Sequence, residues 1–199
     1  MKTKRRQIKF LDPKEIDRIV AAIDPDPIGP KKKYKVPNLR DIALLETLFS
    51  TGMRIAEALS LQDALFARNV HGTLELDIVG KGGFQRTVYF SPKAQLAIKE
   101  YLFFRSGSTH KKDVGETRLF ALTPRAVQIM LKKRAKAAGL DKKVTPHMYR
   151  HSFATDLFRN GVDIRNVQAF LGHQSIANTM IYVNVSNEKL KSIHHDLHK

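Results

Sequence analysis

Residues 145–151 of this sequence read TPHMYRH, residues 171–173 read LGH, and a tyrosine follows at position 182. Together, these residue types are suited to phosphoryl transfer without a metal ion. A tyrosine hydroxyl can attack phosphorus, an arginine can bind two non-bridging oxygens through its planar guanidinium, and histidines can donate hydrogen bonds or transfer protons near neutral pH. No cluster of carboxylates that would bind a divalent ion lies nearby in the sequence.

The spacing of these residues indicates a single site. Pro146 predicts the first position of a helix, so His147 and Arg150 are expected three residues apart on one helix face. His173 and Tyr182 are nine residues apart, and a helix end and a new helix start are predicted around His173.

Two further motifs precede this stretch. Residues 51–57 read TGMRIAE and include Arg54 and Glu57, and residues 80–82 read GKG around Lys81. In this order, the motifs resemble the catalytic domain of the tyrosine recombinases, the family of phage integrases and Xer-type enzymes. The resemblance extends over nearly the whole chain and rests on several separated motifs.

The resemblance implies that the chain breaks and rejoins DNA by transesterification. Tyr182 would attack the scissile phosphate, form a 3′-phosphotyrosine and release a 5′ hydroxyl, and the 5′ hydroxyl of a partner strand would reverse the step. His147 would assist removal of the proton from the phenol, whose free pKa is about 10. Lys81 would return a proton to the leaving oxygen. Because the phosphotyrosine bond holds the bond energy, the resemblance implies no cofactor, neither ATP nor a metal.

The same resemblance implies how charge is neutralised at the site. The pentacoordinate phosphorus develops negative charge on its non-bridging oxygens, which Arg54 and Arg150 would neutralise while His173 donates a hydrogen bond. Glu57 matches the acidic residue that supports the site in this family. A buried guanidinium held by a neighbouring carboxylate suits a phosphate clamp, because it stays charged and stays in place. Considered alone, Arg54 would merely pair with Glu57 or cap carbonyls.

A glycine-rich hairpin turn is predicted at residues 80–83, with Lys81 at its tip and Arg86 on the returning strand. A lysine in such a turn is normally a solvated charge. In the resembled family, the matching lysine instead enters the minor groove of DNA, and the surrounding glycines permit that close approach. DNA contacts are also predicted for the basic residues of the hairpin and of a helix without balancing acids, namely Lys81, Arg86, Arg125, Lys132 and Lys133.

The composition favours a nucleic-acid partner. The 199 residues contain 35 Lys and Arg against 19 Asp and Glu, and the net charge of +16 suits a polyanion, with DNA first and an anionic membrane second. The sequence has no cysteine, which excludes disulfides, thiolate zinc sites and a cysteine nucleophile. No apolar run is long enough to span a bilayer and no signal sequence is recognised. We therefore expect a cytoplasmic, nucleoid-associated protein of a prokaryote, virus or mobile element without a membrane partner.

The hydrophobic patterns predict a mainly helical α+β domain. Helices are expected to start at Asp12, where Glu15 completes a capping box, and at Asn38, after a loop over residues 24–37. From about residue 65 to 90 the apolar period changes to two, which predicts strands. Together with the resemblance, these patterns predict the tyrosine recombinase catalytic-domain fold with a small three-stranded antiparallel sheet.

The predicted organisation has three parts. Residues 1–10 form a basic tail or linker that either lies along phosphates or is solvated, and residues 11–186 form the catalytic domain. The N-terminal core-binding domain of the family is not found in the sequence, which is therefore an excised fragment or a minimal form. Residues 187–199 are predicted to form a C-terminal helix that either folds back on its own domain or, as in the resembled family, docks on a neighbouring protomer. Its apolar strip consists of Leu190, Ile193 and Leu197.

These residues allow four interpretations. A zinc site would use His147 and His151 with histidines of the tail, but it lacks the glutamate of a metalloprotease helix and any cysteine. Alternatively, His151 and Tyr149 serve as hydrogen-bonded core residues. A non-catalytic basic DNA-binding module would explain the charge, but it would not need the ordered set of site residues. The pattern favours the fourth interpretation, a DNA-cleaving enzyme with a tyrosine nucleophile.

We therefore expect a site-specific recombinase, or integrase, that acts on double-stranded DNA. The resemblance further implies self-association into a tetramer on paired DNA sites, and it allows accessory DNA-binding proteins as partners. A type IB topoisomerase shares the cleavage chemistry. The TGMR motif and the spacing from LGH to the tyrosine favour a recombinase, and strand exchange between two duplexes would separate the two enzymes.

Overall fold

The first helix, α1 (Pro13–Ala21), begins where its capping residues predict. The Asp12 side chain accepts a hydrogen bond from the Glu15 amide, and the Glu15 carboxylate accepts one from the Asp12 amide. This reciprocal arrangement satisfies two amides that an uncapped helix would leave without partners. Ile16 and Ile19 then point into the core, so the predicted helix start is confirmed.

The computed structural model describes residues 9–27, 33–67, 74–80, 82–107 and 117–182. Within these ranges the chain is mainly helical, which confirms the predicted fold class. None of the described helices is both long and apolar enough to span a membrane. After α1, the helices in chain order are α2 (Lys35–Thr51), α3 (Ile55–Leu59), α4 (Ala64–Ala67), α5 (Pro92–Ser106), α6 (Pro124–Ala137), α7 (Pro146–Arg159), α8 (Ile164–Leu171) and α9 (Ala177–Met180).

The start of α2 corrects the sequence prediction. The helix begins at Lys35 rather than after Asn38, because Pro37 falls in its first turn, where a missing amide proton is tolerated. Asn38 is not a cap. Its side-chain amide donates to the carbonyl of Asp24 at 2.8 Å and accepts from Arg134 at 2.6 Å, so it joins α2 to a preceding turn and to α6.

Strands β1 (Leu74–Val79) and β2 (Gln85–Phe90) form an antiparallel pair. The register pairs Leu74 with Phe90 at the open end and Val79 with Gln85 at the hairpin end. Alternate side chains of each strand are buried, as the period of two predicts. The hairpin therefore packs one face on the helices. Lys81, which the sequence predicts at its tip, lies outside the described residues.

The prediction of three strands is wrong for the part of the chain that the structure describes, since two strands are found there. Residues 64–67, where the strand pattern was expected to begin, form helix α4 instead. Phe66 in this helix packs edge-on against Phe90, so the apolar side chain reaches the sheet without being part of it. The nearest approach to a further strand is an isolated bridge between Gln62 and Arg118.

The buried apolar side chains of the described residues form two clusters. The larger one surrounds α2, which is packed against α5, β2 and α7. The smaller one joins α7 to α8 and consists of Ala154, Val167, Leu171 and Tyr182, with partly buried side chains around them. The tyrosine at the end of the opening motif is therefore a core residue of this second cluster.

Candidate active site

Arg150 brings three of the sequence motifs together. It lies on α7, whose start is capped by the Thr145 side chain and has Pro146 in its first turn, as predicted. Its guanidinium donates from Nη1 to the carbonyl of Gly52 at 2.6 Å and from Nη2 to the carbonyl of Leu171 at 2.5 Å. One buried side chain thus contacts residues from the TGMR and LGH motifs.

Both carbonyl acceptors lie at helix C-termini. Gly52 ends α2 with φ of 60°, and Leu171 is the last residue of α8. The unpaired carbonyls at a helix end carry partial negative charge, which stabilises a cation there. This explains how a guanidinium that is 5 % exposed can be held without a bound carboxylate.

Gly52 is required at this position for two reasons. Its φ of 60° lies in the left-handed region that favours glycine, and a Cβ atom here would approach the Phe153 ring to 2.2 Å. The close packing of α2 against α7 therefore depends on the glycine of the TGMR motif.

The pKa of Arg150 is lowered to about 10, chiefly because burial disfavours the charged form, and the positive charges of Arg54 and Arg86 contribute to the decrease. The guanidinium still carries its proton at neutral pH. Three arginines therefore keep their charges close to one another, and this arrangement would bind an anion.

Glu57 is the carboxylate that holds two of these arginines. Its Oε1 accepts from Nη1 of Arg54 at 3.0 Å and from Nη1 of Arg86 at 3.1 Å. Its Oε2 accepts from the Arg54 amide at 2.8 Å and from Nη2 of Arg86 at 2.6 Å. Burial alone raises the pKa of Glu57, but these hydrogen bonds and the Arg86 charge outweigh it and lower the pKa below its usual value. Glu57 is therefore ionised.

Arg86 was expected to contact DNA from its place in the hairpin. In the structure, its side chain instead contacts other residues of the protein. Its side chain is only 7 % exposed and forms a salt bridge with Glu57. Its Nε donates to the carbonyl of Phe170 at 3.1 Å. In this structure Arg86 therefore serves the site from within the protein. The other predicted DNA contacts differ, because Arg125, Lys132 and Lys133 are all exposed on α6.

His173 lies directly after the glycine that ends α8. Its Nδ1 is 2.9 Å from the hydroxyl of Thr179, which is fully buried. When that hydroxyl donates to Nδ1, Nε2 carries the ring proton and can donate it to a bound anion. Burial lowers the pKa of His173 to about 4, and the nearby charges, Arg150 first, act in the same direction. The imidazole is therefore neutral at neutral pH.

This pKa predicts how stability depends on pH. Between about pH 6.5 and 4 the unfolded chain binds a proton at His173 and the folded chain does not, so the free energy of unfolding should fall as the pH falls through that window. Urea denaturation at several pH values would measure the slope. His173→Asn removes the titrating group. The free energy of unfolding of this variant should therefore depend less steeply on pH, with a slope lower by up to the contribution of one bound proton. Equal slopes for the two proteins would contradict the lowered pKa.

Tyr182 is held inside the second apolar cluster. The residue is 1 % exposed, and its hydroxyl lies 2.7 Å from Nδ1 of His151. Burial raises the pKa of Tyr182 to about 12, although the charge of Arg150 lowers it. A phenol with this pKa does not ionise spontaneously at neutral pH, so it needs a base to become a nucleophile.

The two histidines of α7 are placed differently. His147 is exposed in the first turn, whereas His151 is partly buried and contacts the tyrosine hydroxyl. Burial lowers the pKa of His151, and the neighbouring His147 and Arg150 act in the same direction. His147, which the sequence interpretation assigned to the phenol proton, is therefore not the histidine that contacts Tyr182 in this structure.

Three aspects of the site were missed by the sequence interpretation. His151 was treated only as a core or zinc-site histidine, although its position one turn after His147 could have drawn attention to it. Thr179 carries no motif signal beyond lying one turn before Tyr182. Arg86 was recognised, but its buried role was not. Among the described residues, no three His, Asp or Glu side chains are arranged to hold a metal ion, and the tail histidines lie outside that part of the chain.

Comparisons with known proteins agree on one family. Residues 9–189 match the phage integrase family. The tyrosine recombinase XerC of Leptospira interrogans is 38% identical over 168 residues, which cover 82% of this chain and 52% of that protein. The tyrosine recombinase XerD of Caulobacter vibrioides is 37% identical over 193 residues, covering 93% of this chain and 60% of the relative. The chain thus spans little more than half the length of these relatives.

Solved structures show the same likeness. The XerA recombinase superposes with a TM-score of 0.72 at 26% identity, over 98% of this chain and 66% of that structure. The XerH site-specific recombinase, in a post-cleavage complex with a palindromic difH substrate, gives a TM-score of 0.73 at 27% identity, over 96% of this chain and 54% of that one. The predicted recombinase catalytic-domain fold is therefore confirmed.

Proposed function

This chain belongs to the phage integrase family of tyrosine recombinases, and we propose that it cleaves and rejoins double-stranded DNA as a site-specific recombinase. The observation that carries the proposal is the set of contacts around Arg150. Through the carbonyls of Gly52 and Leu171, this residue joins the motif that holds Arg54 to the motif that holds His173. Arg54 and Arg150 supply two cations and His173 supplies a hydrogen-bond donor, which a phosphoryl transition state requires.

The proposed reaction is a transesterification. The Tyr182 oxygen attacks the scissile phosphorus, the bond from phosphorus to the 5′ oxygen breaks, and a 3′-phosphotyrosine remains on the protein. The 5′ oxygen takes up a proton as it leaves. In the second half, the 5′ hydroxyl of another strand attacks the phosphotyrosine and the phenol regains its proton. The number of phosphoester bonds is unchanged, so the reaction does not consume ATP.

The arginines and His173 act on the charge of the phosphate. Arg54 and Arg150 are proposed to bind its non-bridging oxygens, and the two carbonyl contacts of Arg150 leave three of its five N–H groups for that purpose. His173 is neutral, so we assign it the role of hydrogen-bond donor rather than that of a cation. These groups are held by protein contacts before the substrate binds, which limits reorganisation during the reaction.

The nucleophile has to move before it can react. A Tyr182 hydroxyl that is buried and bonded to His151 cannot reach a DNA phosphate, so we propose that binding of DNA draws residue 182 out of the second cluster. His147 is exposed in the first turn of α7 and remains our candidate for assisting removal of the phenol proton at that stage. His151 contacts the hydroxyl in the resting position described here.

Lys81 is proposed as the general acid, and its role can be tested although the residue lies outside the described part of the chain. Lys81→Ala should slow cleavage of a normal phosphodiester by about 10²-fold or more. A 5′-bridging phosphorothiolate should restore the rate in single-turnover assays, because sulfur leaves without a proton. Equal slowing of both substrates would instead make Lys81 a binding residue.

The proposed partner is double-stranded DNA in the bacterial cytoplasm, where the chain would act on a chromosome or mobile element. The exposed side chains of Arg125, Lys132 and Lys133 on α6 offer charges for phosphate contacts. We propose residues 11–186 as the catalytic domain, with residues 1–10 as a basic segment that follows the DNA backbone. We also propose accessory DNA-binding proteins as partners.

Assembly on paired DNA sites is proposed to depend on the C-terminal segment. Residues 187–199 lie outside the described residues, but their sequence places Leu190, Ile193 and Leu197 on one helical strip. Burial of three aliphatic side chains could contribute several kcal/mol at about 25 cal/mol per Å², which matters once DNA raises the local concentration. We propose that the segment docks on a neighbouring protomer, and that four protomers assemble on two sites.

Deletion of residues 187–199 should leave binding to a single half-site nearly unchanged and remove cooperative binding of the second protomer, because only the contact in trans is lost. Gel-shift titrations on one and two half-sites would measure both affinities. Thermal denaturation of the shortened chain provides the control. If the deletion unfolds the monomer while the protein that stays folded still binds cooperatively, the segment belongs to its own domain.

The function itself is tested by covalent capture. The protein is mixed with a library of nicked duplexes, and DNA that resists removal by denaturant is sequenced to identify a substrate. Two differently labelled duplexes that carry this sequence are then incubated with the protein. Exchange of labels supports a recombinase, cleavage and resealing without exchange supports topoisomerase-like activity, and binding without an adduct would leave a non-catalytic DNA-binding module.

A further inference from the structure

We propose that Arg86 is a positioning residue for the phosphate-binding site: it fixes Glu57, which in turn fixes Arg54. The proposal rests on the function proposed above, because Arg54 is the side chain that would meet the phosphate. Arg86 lies on β2, whereas Glu57 and Arg54 belong to α3 and its N-terminal flank. The residue therefore connects the hairpin to the arginine that acts on the substrate.

The contacts of Arg86 define one orientation of the carboxylate. Its two terminal nitrogens donate to the two oxygens of Glu57 at 3.1 and 2.6 Å, which is the side-by-side geometry that a planar guanidinium provides. The same two oxygens accept from Nη1 and the amide of Arg54. Because all four hydrogen bonds share one carboxylate, turning the Glu57 plane would break the contacts of both arginines.

A third contact prevents the Arg86 side chain from turning. Its Nε donates to the carbonyl of Phe170 near the end of α8, at 3.1 Å. Three donors on one rigid plane are thus tied to two separate elements, α3 and α8. A lysine has one flexible ammonium group and could not make these three contacts in the same geometry.

Two glycines leave room for this side chain. A Cβ atom on Gly172 would lie 2.9 Å from Cδ of Arg86, and one on Gly80 would lie 3.2 Å from its Nη1 and 3.3 Å from Oε1 of Glu57. Gly172 also has a φ of 61°, but Gly80 is not in the left-handed region. The space at Gly80 is therefore explained by the close approach of the Arg86–Glu57 pair rather than by backbone conformation.

Burial argues against direct readout of DNA by Arg86. The side chains of Arg86 and Glu57 are 7 % and 8 % exposed, whereas that of Arg54 is 33 % exposed. Of the two arginines that Glu57 binds, Arg54 is therefore the one more open to DNA, and Arg86 lies behind it. A buried carboxylate with only one cationic partner would be poorly compensated, so removal of Arg86 is expected to pull Arg54 toward Glu57 and away from the phosphate.

The test uses Arg86→Met, which keeps an unbranched side chain that extends about as far as Nε and removes the donors. The matched control is Arg134→Met, because Arg134 also makes two hydrogen bonds to a buried carboxylate, that of Asp41, in a different part of the domain. Both variants are assayed on the captured duplex, well below their melting temperatures. Single-turnover cleavage, half-site affinity and the salt dependence of that affinity are measured for each.

Arg86→Met should cleave about 10-fold to 10²-fold more slowly, the range expected when a catalytic group is misplaced by about 1 Å. Its affinity for DNA and the salt dependence of that affinity should fall no further than those of Arg54→Ala, and Arg134→Met should cleave at the parent rate. A phosphate contact made by Arg86 itself would lower the slope of log affinity against log salt by about a further 0.9 when Arg86→Met is added to Arg54→Ala. That result, or parental cleavage by Arg86→Met, would overturn the proposal.

The double variant with Arg54→Ala separates positioning from general disruption. If Arg86 acts through Arg54, Arg86→Met should slow cleavage no further once Arg54 is absent. An equal additional loss in that background would overturn the proposal. A 5′-bridging phosphorothiolate should not restore the rate of Arg86→Met, and restoration would show that the residue acts through the hairpin lysine instead.

A readout without DNA keeps this proposal separate from the proposed function. In spectra of arginine labelled with ¹⁵N, the guanidinium signals of Arg54 should change in Arg86→Met and stay in place in Arg134→Met. Unchanged Arg54 signals in Arg86→Met would refute the positioning role. If the Arg54 signals shift but the parent chain forms no covalent adduct with any duplex, the positioning role stands and the recombinase function fails.

Discussion

Tyr182→Phe is expected to abolish the covalent adduct with DNA and to leave binding intact. The substitution removes only the hydroxyl oxygen, which is the proposed nucleophile, and it leaves the ring packed against Ala154, Val167 and Leu171. The lost hydrogen bond to His151 should lower stability by about 1 kcal/mol. Denaturing gels after incubation with the captured nicked duplex measure the adduct, and gel shifts measure binding.

Tyr149→Phe is the matched control for this experiment. Tyr149 is a fully buried tyrosine of α7, and its hydroxyl makes no hydrogen bond to any described residue. Burial raises the pKa of this phenol well above its usual value, and among the described residues no hydrogen-bond partner is placed to take up its proton. The variant should therefore form the adduct as the parent chain does. Loss of the adduct in Tyr149→Phe, or its survival in Tyr182→Phe, would contradict the assignment.

Arg150→Lys is expected to slow cleavage by about 10²-fold to 10³-fold, the range seen when a donor that stabilises transition-state charge is removed. The lysine keeps the charge, but a single ammonium cannot bind the carbonyls of both Gly52 and Leu171 and a phosphate oxygen as well. Cleavage under single-turnover conditions, corrected for the folded fraction, measures the effect. Thermal denaturation should also show lower stability.

Arg105→Lys shows how much of this effect comes from disturbing a buried arginine. Arg105 is 8 % exposed and donates to the carbonyls of Arg118 and Leu119, away from the proposed site, while pairing with Asp63. We expect this variant to lose stability and to keep its cleavage rate per folded molecule. If the two variants slow cleavage equally, Arg150 stabilises the fold and does not act on the phosphate.

Local sequence signals predicted the parts of the fold that depend on short-range chemistry. The Asp12 cap with Glu15 and the helix start at Pro146 were predicted correctly, because their partners lie within one helical turn. Asn38 was assigned wrongly as a cap for a related reason. Its actual partner Arg134 is 96 residues away, so no local rule could have identified the contact that determines its conformation.

The candidate site shows the same limit. Arg54 and Glu57 were expected to pair, since they are three residues apart in one turn. Arg86 was read as a hairpin charge directed at DNA, because its carboxylate partner is 29 residues away and its carbonyl partner 84 residues away. The burial of Arg86 favours a role inside the protein, and burial is a property of the assembled domain rather than of the hairpin sequence.

The position of the Tyr182 side chain in this structure also could not be predicted from the sequence. The family pattern identifies a tyrosine nine residues after His173, but it does not say that the hydroxyl is buried against His151. That contact spans 31 residues and depends on how the segment after α8 returns to α7. Because the proposed nucleophile is packed in an apolar cluster and hydrogen-bonded to a histidine, we expect binding of DNA to precede its activation.

The most direct measurement of the central claim is to locate the atom that becomes joined to DNA. The adduct with a captured nicked duplex is digested with protease and nuclease, and the nucleotide-bearing peptide is fragmented in a mass spectrometer. The account predicts a nucleotide attached through its 3′ phosphate to the oxygen of Tyr182, with a free 5′ hydroxyl on the released strand. Attachment to Tyr149, to a histidine, or through a 5′ phosphate would contradict it.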